Sequence, residues 1–410
     1  MAVTEPAPSA VTTAHEGTLR RQPVREPAAR TYARALPIVP VRARGLTVEG
    51  PDGRRYLDCL SGAGTLPLGH NHPVVLEAVR RALDSVGPSP EPDPPAGDPF
   101  VAVLRRTLPP GLVGCSRIRF CGPTGTRAVQ EALALARAAT GRDGLLVDGA
   151  GRTAPSAVRT EPFHDDPGPD APHPAAVLLE PVRGDTVLPV PDDLLRRTRE
   201  VTAARGIPLI VDETRTGVGR TGTFWAVEHS GVTPDIMVLA RSVGGSLPLA
   251  VLVHRTALDP GPGGAATEVF RGNRLARAAG AATLAHVHEH GLAARAGRLG
   301  AHMLDRLREL AAEHPHIGEV RGRGLLIGVE LVDPETPAPA GTVGPSRAPA
   351  LAAAVQRACL QRGLILGRGG PDSGVLRLLP PLTLTDEQAT AVLDRLADAL
   401  ATTTARRPGP

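Results

Sequence analysis

Two charged residues close neighbouring apolar runs and are the first candidates for chemistry. Residues 207–212, IPLIVD, end in Asp212, and residues 236–241, IMVLAR, end in Arg241 and lead into the glycine-rich run SVGGS. Short apolar runs bounded by glycine and charge are typical of buried strands. Ligands of open α/β sheets bind beyond the carboxyl ends of the strands. We therefore expect a site where these two runs end.

A second candidate is the turn between an apolar run and a helical pattern in residues 118–142, IRFCGPTGTRAVQEALALARAATGR. The backbone amides of Gly125 and Thr126 would lie unpaired at the start of this helix, where the helix dipole favours an anion. The same residues also suit an ordinary helix start, with Thr124 or Thr126 as the N-cap. The residues alone leave both interpretations open.

The chain resembles the class III, fold type I aminotransferases that use pyridoxal phosphate. The resemblance lies in GHNHP, GPTGT, IVDE, GRTG, GGSLPLA, FRGN, RGRGL and LLPPL, and it spans roughly residues 26–400. GPTGT is similar to the phosphate loop of diaminobutyrate–2-oxoglutarate aminotransferases. In this family an aspartate binds the pyridine nitrogen, and Asp212 matches it. The position of the Schiff-base lysine is taken by Arg241.

The resemblance also implies roles for residues elsewhere in the chain. Gly125 and Thr126 would hold the phosphate, and Arg377 matches the arginine that pairs with the substrate carboxylate. Arg215 stands where the family has a glutamine that contacts the cofactor. Glu180 and Asp185 match two acidic positions of a family motif in LLEPVRGD and are predicted to bind the substrate. Arg183 lies between them, where the family has a glutamine.

Other cofactor contacts of the family are replaced in this sequence. Ala150, Gly151 and Arg152 stand where the family has an aromatic residue, a histidine and a glycine. Val269 occupies the position of a phosphate-binding threonine that reaches across the subunit interface. The family pattern therefore predicts a weakened hold on the cofactor ring and phosphate.

The sequence contains no lysine, and all 46 of its Lys and Arg residues are arginine. A guanidinium keeps its proton at any ordinary pH, so it can neither form a Schiff base nor transfer protons during transamination. Covalent binding of pyridoxal phosphate is not expected. Three hypotheses remain. The chain is a degenerate structural or regulatory subunit, or an enzyme that holds pyridoxal or pyridoxamine phosphate without a covalent bond or runs different chemistry in the altered pocket, or an aminotransferase working by another route.

The pairing of Arg241 can also be predicted from charge. Unpaired buried charges are costly, so we expect Arg241 to pair with Asp212, directly or through water, or with a neighbouring acid, and to seal the site. The competing hypothesis is an anion pocket, in which Arg183, Arg215 and Arg241 point inward and hold a phosphate or a dicarboxylate.

The resemblance predicts an α/β fold of the pyridoxal-phosphate transferase fold type I. A mostly parallel seven-stranded sheet would form the large domain, residues 66–305, and a small α+β domain would combine residues 26–65 and 306–400. Residues 1–25 are predicted to be a disordered leader and residues 401–410 a tail. Helical patterns cover residues 273–289 and 292–313.

Composition narrows the remaining function classes. The basic residues are spread along the chain and only 2% of residues are aromatic, which disfavours nucleic-acid binding. No run suits a membrane span, and we expect a cytoplasmic protein. His70 and His72 in GHNHP match a structural turn of the family rather than metal ligands, and we predict no metal site. Four scattered cysteines form no CxxC pair and are expected to be buried thiols: Cys59, Cys115, Cys121 and Cys359.

The resemblance also predicts the partners. Family active sites lie at a subunit interface, so we expect a homodimer, or a heterodimer with an intact aminotransferase homologue. A small anionic ligand is a further candidate partner.

Overall fold

The structure is a computed structural model that describes residues 38–85, 97–148, 173–259, 271–337, 345–370 and 372–405. Its strands, in chain order, are β1 (Arg42–Arg44), β2 (Thr47–Glu49), β3 (Arg55–Asp58), β4 (Ser116–Phe120), β5 (Leu145–Asp148), β6 (Ala176–Leu179), β7 (Val182–Arg183), β8 (Leu188–Pro189), β9 (Leu209–Asp212), β10 (Ile236–Ala240), β11 (Ala250–Arg255), β12 (Ile317–Arg323), β13 (Leu326–Pro337), β14 (Pro345–Arg347), β15 (Leu364–Ile365), β16 (Gly367–Gly369) and β17 (Val375–Leu378).

Eight regular α-helices lie in the described ranges, besides the short helical turn Ser61–Gly64, whose backbone is left-handed. They are α1 (Pro73–Ser85), α2 (Pro99–Thr107), α3 (Gly125–Thr140), α4 (Asp192–Ala204), α5 (Arg274–Glu289), α6 (Leu292–Glu313), α7 (Pro349–Gln361) and α8 (Asp386–Thr404). Short 3₁₀ turns cover Pro110–Leu112, Ala226–Ser230, Arg241–Gly244 and Thr256–Leu258. The helices predicted over 273–289 and 292–313 correspond to α5, which Asn273 caps, and to α6.

The largest sheet has the strand order β4-β11-β10-β9-β6-β5. β5, β6, β9 and β10 pair in parallel, while β11 runs antiparallel to both β10 and β4. β4 therefore points the same way as the four parallel strands. The mostly parallel sheet is confirmed, and the described residues contribute six strands to it where seven were predicted.

The central strands are buried on both faces, so their apolar runs are continuous rather than alternating. Successive side chains point to opposite faces of a strand, and the two faces belong to different core clusters. One face packs against α3 through Leu178, Ile210, Val238 and Leu252. The other face packs in the cluster that includes residues of α1, α2 and α5, through Leu179, Val211, Leu239 and Val251.

Two smaller sheets join distant parts of the sequence. β1, β2 and β3 form an antiparallel unit, and β3 also pairs in parallel with β15, so that residues 55–58 lie beside residues 364–365. β12, β13, β17 and β16 form another sheet, with β14 on β13. The predicted domain boundaries remain predictions. Helix α8 ends at Thr404, four residues past the proposed boundary at 400, and residues 1–25 lie outside the described ranges.

Candidate active site

The order of three parallel strands sets the centre of the candidate site. β10, β9 and β6 are consecutive in the sheet, with Val238 beside Asp212 and Val211 beside Leu179. Parallel strands end at the same edge, so Arg241 after β10, Asp212 at the end of β9 and Glu180 after β6 meet there. The prediction that Asp212 and Arg241 lie on adjacent strand ends is confirmed.

A cavity of about 300 Å³ lies at this edge. It brings together six of the residues singled out in the sequence, namely Gly125, Thr126, Glu180, Asp212, Arg215 and Arg241. Its wall also includes Thr65 and Ser246, which the sequence analysis did not single out. Thr65 ends the run LSGAGT, and the two glycines of that run were the sequence feature that could have indicated a tight turn at the site.

Helix α3 begins at the cavity wall. Thr124 is its N-cap, because the Thr124 hydroxyl accepts a hydrogen bond from the Arg127 amide at 3.2 Å. The amides of Gly125 and Thr126 have no acceptor among the described residues. Thr124 therefore caps the helix, as one interpretation predicted, and the two amides stay available at its positive end. The anion site itself stays a prediction. A side chain at position 125 would crowd the Thr214 methyl group, 3.3 Å away.

Asp212 is buried, with 4% of its surface exposed. Its carboxylate accepts a hydrogen bond from the Thr214 amide at 2.9 Å, two residues along its own loop. Burial raises the pKa of the Asp212 carboxyl, and hydrogen bonds from Thr214 and the charges of Arg215 and Arg241 act in the opposite direction. Asp212 is thus held by its own loop.

Glu180 is the second acid at the strand ends. Burial, and then the neighbouring charge of Asp212, raise the pKa of Glu180 to about 7. The Gly184 amide, which donates to the Glu180 carboxylate at 2.9 Å, works against this rise. Two carboxyls whose charges interact do not both ionise readily near neutral pH.

Arg241 does not make the direct ion pair that was one form of its predicted pairing. Its Nη1 donates to the Ala63 carbonyl at 3.0 Å, and no acid of the described residues lies within 4.0 Å of its guanidinium. The backbone explains this, since Arg241 has a φ of 63° at the end of β10. Left-handed backbone is costly for a residue with a Cβ. With this backbone conformation, the Arg241 side chain crosses the cavity to the turn of residues 61–64 and does not contact Asp212.

The turn that receives Arg241 is itself unusual. Residues 61–64 have φ values of 46°, 61°, 58° and 86°, so four consecutive residues are left-handed. The second and fourth of these are glycines, for which such values carry no steric cost. The turn presents the Ala63 carbonyl to Arg241 and leads directly to Thr65 on the cavity wall.

Asp185 lies between two arginines beside the cavity. Arg215 Nη1 is 3.5 Å and Arg377 Nη1 is 3.4 Å from the Asp185 carboxylate, and Arg377 also donates to the Gly184 carbonyl at 3.0 Å. Arg215 reaches this position only because residue 184 is glycine. A Cβ there would lie 2.1 Å from its Cδ. Asp185, which was predicted to bind the substrate, is therefore already engaged by guanidinium groups.

Some predicted positions lie outside the described ranges, among them Ala150, Gly151, Arg152 and Val269. The described residues contain no cluster of three or more His, Cys, Asp or Glu that could hold a metal ion. None of the helices in the described ranges is long and apolar enough to cross a membrane. Cys59, Cys121 and Cys359 are buried as expected, whereas Cys115 is exposed.

Comparison with known proteins tests the resemblance. The sequence model of the class III aminotransferase family matches residues 28–148 and 162–400 of this chain. The chain belongs to the class III aminotransferase family. Among its relatives, the diaminobutyrate–2-oxoglutarate aminotransferase of Rhizobium meliloti (strain 1021) is 41% identical over 93% of this chain and 91% of its own length. The corresponding enzyme of Haemophilus influenzae is 35% identical, covering 95% of this chain and 96% of its own.

Solved structures show the same fold for this class III family member. Acetylornithine aminotransferase from Elizabethkingia anophelis is 26% identical with a TM-score of 0.76, covering 90% of this chain and 94% of that one. Ornithine aminotransferase from Toxoplasma gondii is 25% identical with a TM-score of 0.75, covering 96% and 98%. The Toxoplasma structure reveals partial occupancy of pyridoxal phosphate at its active site. The predicted fold type and the family's cofactor are thus confirmed.

The residues of this chain fit that cofactor only in part. The free amides of Gly125 and Thr126 suit a phosphate, and the buried Asp212 carboxylate suits a protonated pyridine nitrogen. No side-chain amine exists to form a covalent bond, because the sequence has no lysine and Arg241 stands at the strand end. The site does not fit covalently attached pyridoxal phosphate.

Proposed function

We propose that this class III aminotransferase-fold protein is a degenerate member of its family that acts as a structural or regulatory subunit in the cytoplasm. One observation supports the proposal above the others: a guanidinium, Arg241, stands at the strand end beside Asp212 in a chain that contains no lysine. Transamination by the family's route needs an amine that gives up its proton there. A guanidinium has a pKa above about 12 and does not.

The proposed partner is a second aminotransferase-fold chain, either a copy of this one or an intact homologue. The resemblance supports this pairing, since family active sites lie at a subunit interface and the chain retains the FRGN segment. A subunit that keeps the fold and loses its own chemistry can still complete or regulate the site of an active neighbour.

The test uses the purified full chain and pyridoxal phosphate. We expect no covalent adduct at an internal residue after borohydride reduction, as located by peptide mass spectrometry, and no transfer of an amino group from 2,4-diaminobutyrate to 2-oxoglutarate. The positive control is the diaminobutyrate–2-oxoglutarate aminotransferase of Rhizobium meliloti. An internal adduct, or turnover at a rate comparable with the control, would refute the proposal. Sedimentation of a stable monomer at micromolar concentration would refute the pairing.

A second candidate function is an enzyme that holds pyridoxal or pyridoxamine phosphate without a covalent bond and transfers an amino group from a diamino acid to 2-oxoglutarate. Two observations favour it: the open cavity, and the retained Asp212 with the free amides of Gly125 and Thr126. The same assay with pyridoxamine phosphate distinguishes the two candidates. A single turnover of 2-oxoglutarate to glutamate would support the enzyme.

A further inference from the structure

Two guanidinium groups, Arg215 and Arg241, line the same cavity at the strand ends. We infer that these two arginines form a clamp for an oxyanion, the carboxylate or phosphate group of a small molecule held without a covalent bond. This inference rests on the proposed function, because a covalently attached cofactor would fill the same space. It names the kind of ligand that a regulatory subunit of this form would sense.

Most hydrogen-bond donors of Arg241 are free. A guanidinium carries five N–H donors, and Arg241 uses one of them, on the Ala63 carbonyl. The remaining donors have no acceptor among the described residues, and Arg241 lines the cavity. The Ala63 contact fixes the side chain in the cavity and leaves the other edge of the guanidinium open to a ligand.

Arg215 is only loosely held. Its one contact with an acid in the described ranges joins Nη1 to the Asp185 carboxylate at 3.5 Å, at the outer limit of a hydrogen bond. Asp185 is shared with Arg377, so a single carboxylate faces two cations. An incoming oxyanion could therefore engage Arg215 without breaking a strong ion pair.

The two arginines also repel each other. Burial, and then the charge of Arg215, lower the pKa of the Arg241 guanidinium, while Asp212, Glu180 and Asp185 act in the opposite direction. Asp212 and Glu180 accept hydrogen bonds from the amides of their own loops, at 2.9 Å each. Charge-assisted pairing of an oxyanion with both guanidiniums would relieve the repulsion directly.

The surroundings suit a small ligand with more than one anionic group. The cavity volume of about 300 Å³ lies at the lower end for small-molecule sites. Its wall includes the free amides of Gly125 and Thr126, a separate place for an anionic group. Arg241 and Ser246, both on this wall, have φ values of 63° and 90°. Strained backbone of this kind clusters at ligand sites.

Calorimetric titration of the purified full chain tests the clamp, with 2-oxoglutarate as the carboxylate probe, inorganic phosphate as the phosphate probe and glycerol as the neutral control. We expect saturable binding of at least one oxyanion and none of glycerol. Arg241→Gln and Arg215→Gln should each weaken that binding at least tenfold, which is about 1.4 kcal/mol. Arg298→Gln, at an exposed arginine of α6, should leave it unchanged.

Two outcomes overturn the clamp: neither oxyanion binds, or both clamp variants bind as tightly as the unaltered protein. Circular dichroism confirms that each variant is folded, and one folded clamp variant is enough for the comparison. If the protein neither binds an oxyanion nor catalyses transamination, the clamp is refuted and the proposed function is not. If the unaltered protein catalyses transamination, the proposed function is refuted, whether or not an oxyanion binds in the calorimetric titration.

Discussion

Replacing Glu180 by glutamine should stabilise the protein above neutral pH. The pKa of Glu180 rises from 4.5 to about 7 in the fold, through burial first and Asp212 second. The unfolded chain therefore ionises this carboxyl more readily than the folded chain does. The cost of ionising it in the fold is absent below pH 4.5, grows between pH 4.5 and about 7, and is complete above that range.

The size of the effect follows from the same pKa. A rise from 4.5 to about 7 corresponds to roughly 3 kcal/mol at about 1.4 kcal/mol per pH unit. The side chain is partly exposed, and the favourable charge of Arg215 is lost together with the unfavourable charge of Asp212. We therefore expect Glu180→Gln to raise the free energy of unfolding by about 1–2 kcal/mol at pH 8. Glutamine keeps an oxygen that can accept from the Gly184 amide.

The assay is urea unfolding of the variant and the unaltered protein at pH 8 and at pH 5. The difference between them should be positive at pH 8 and shrink toward zero at pH 5. Glu309→Gln, which removes an exposed acid from a surface pair with Arg306, is the matched control and should change stability by less than about 0.5 kcal/mol at either pH. A Glu180→Gln protein that is less stable at pH 8, or a difference that is the same at both pH values, would refute the reasoning.

Three further predictions concern other contacts. Asp98→Ala should lower the free energy of unfolding by about 4 kcal/mol, because Asp98 both caps α2 and pairs with the buried Arg277 at 2.6 Å. Asp98→Asn keeps an acceptor for the cap and should lower it less. A urea midpoint of Asp98→Ala within error of the unaltered protein would contradict the prediction. Burial first and neighbouring histidines second lower the pKa values of His72 and His286, so the protein should lose stability as the pH falls below 6.5. In His286→Asn the free energy of unfolding should fall less between pH 7 and pH 5.5 than in the unaltered protein. An unchanged pH dependence would contradict this prediction. Arg241→Lys alone should restore little transamination, because other cofactor contacts of the family are also replaced in this sequence. Turnover close to that of the Rhizobium meliloti aminotransferase would show those replacements to be unimportant.

The contact that Arg241 makes in the structure differs from the contact predicted for it. Charge alone predicted that it would pair with Asp212 and close the site. The left-handed backbone at Arg241 goes with a side chain that reaches the 61–64 turn, and the Thr214 amide holds the Asp212 carboxylate. The result is a cavity lined by charges of both signs, in which Arg215 contacts Asp185 and Arg241 has no acid of the described residues within 4.0 Å. The anion pocket stays a prediction.

The sequence by itself determined the elements and the family. Continuous apolar runs placed the buried strands that end at Asp212 and before Arg241, since strands covered on both faces are apolar at every position. Apolar residues at helical spacing placed α5 and α6 within a residue or so, and the absence of lysine followed from composition alone. These features are local, so they can be recognised without knowing what packs against them.

Only the tertiary structure decided which charged groups touch. Arg241 and Ala63 are 178 positions apart, and Arg377 and Asp185 are 192 apart, so no local pattern could join them. The sharing of Asp185 by two arginines depends on the approach of β17 to residue 184 and on a glycine there that leaves room for Arg215. The direction of a long side chain depends on its backbone angles and on whichever acceptor the fold brings within reach, and composition and spacing contain neither.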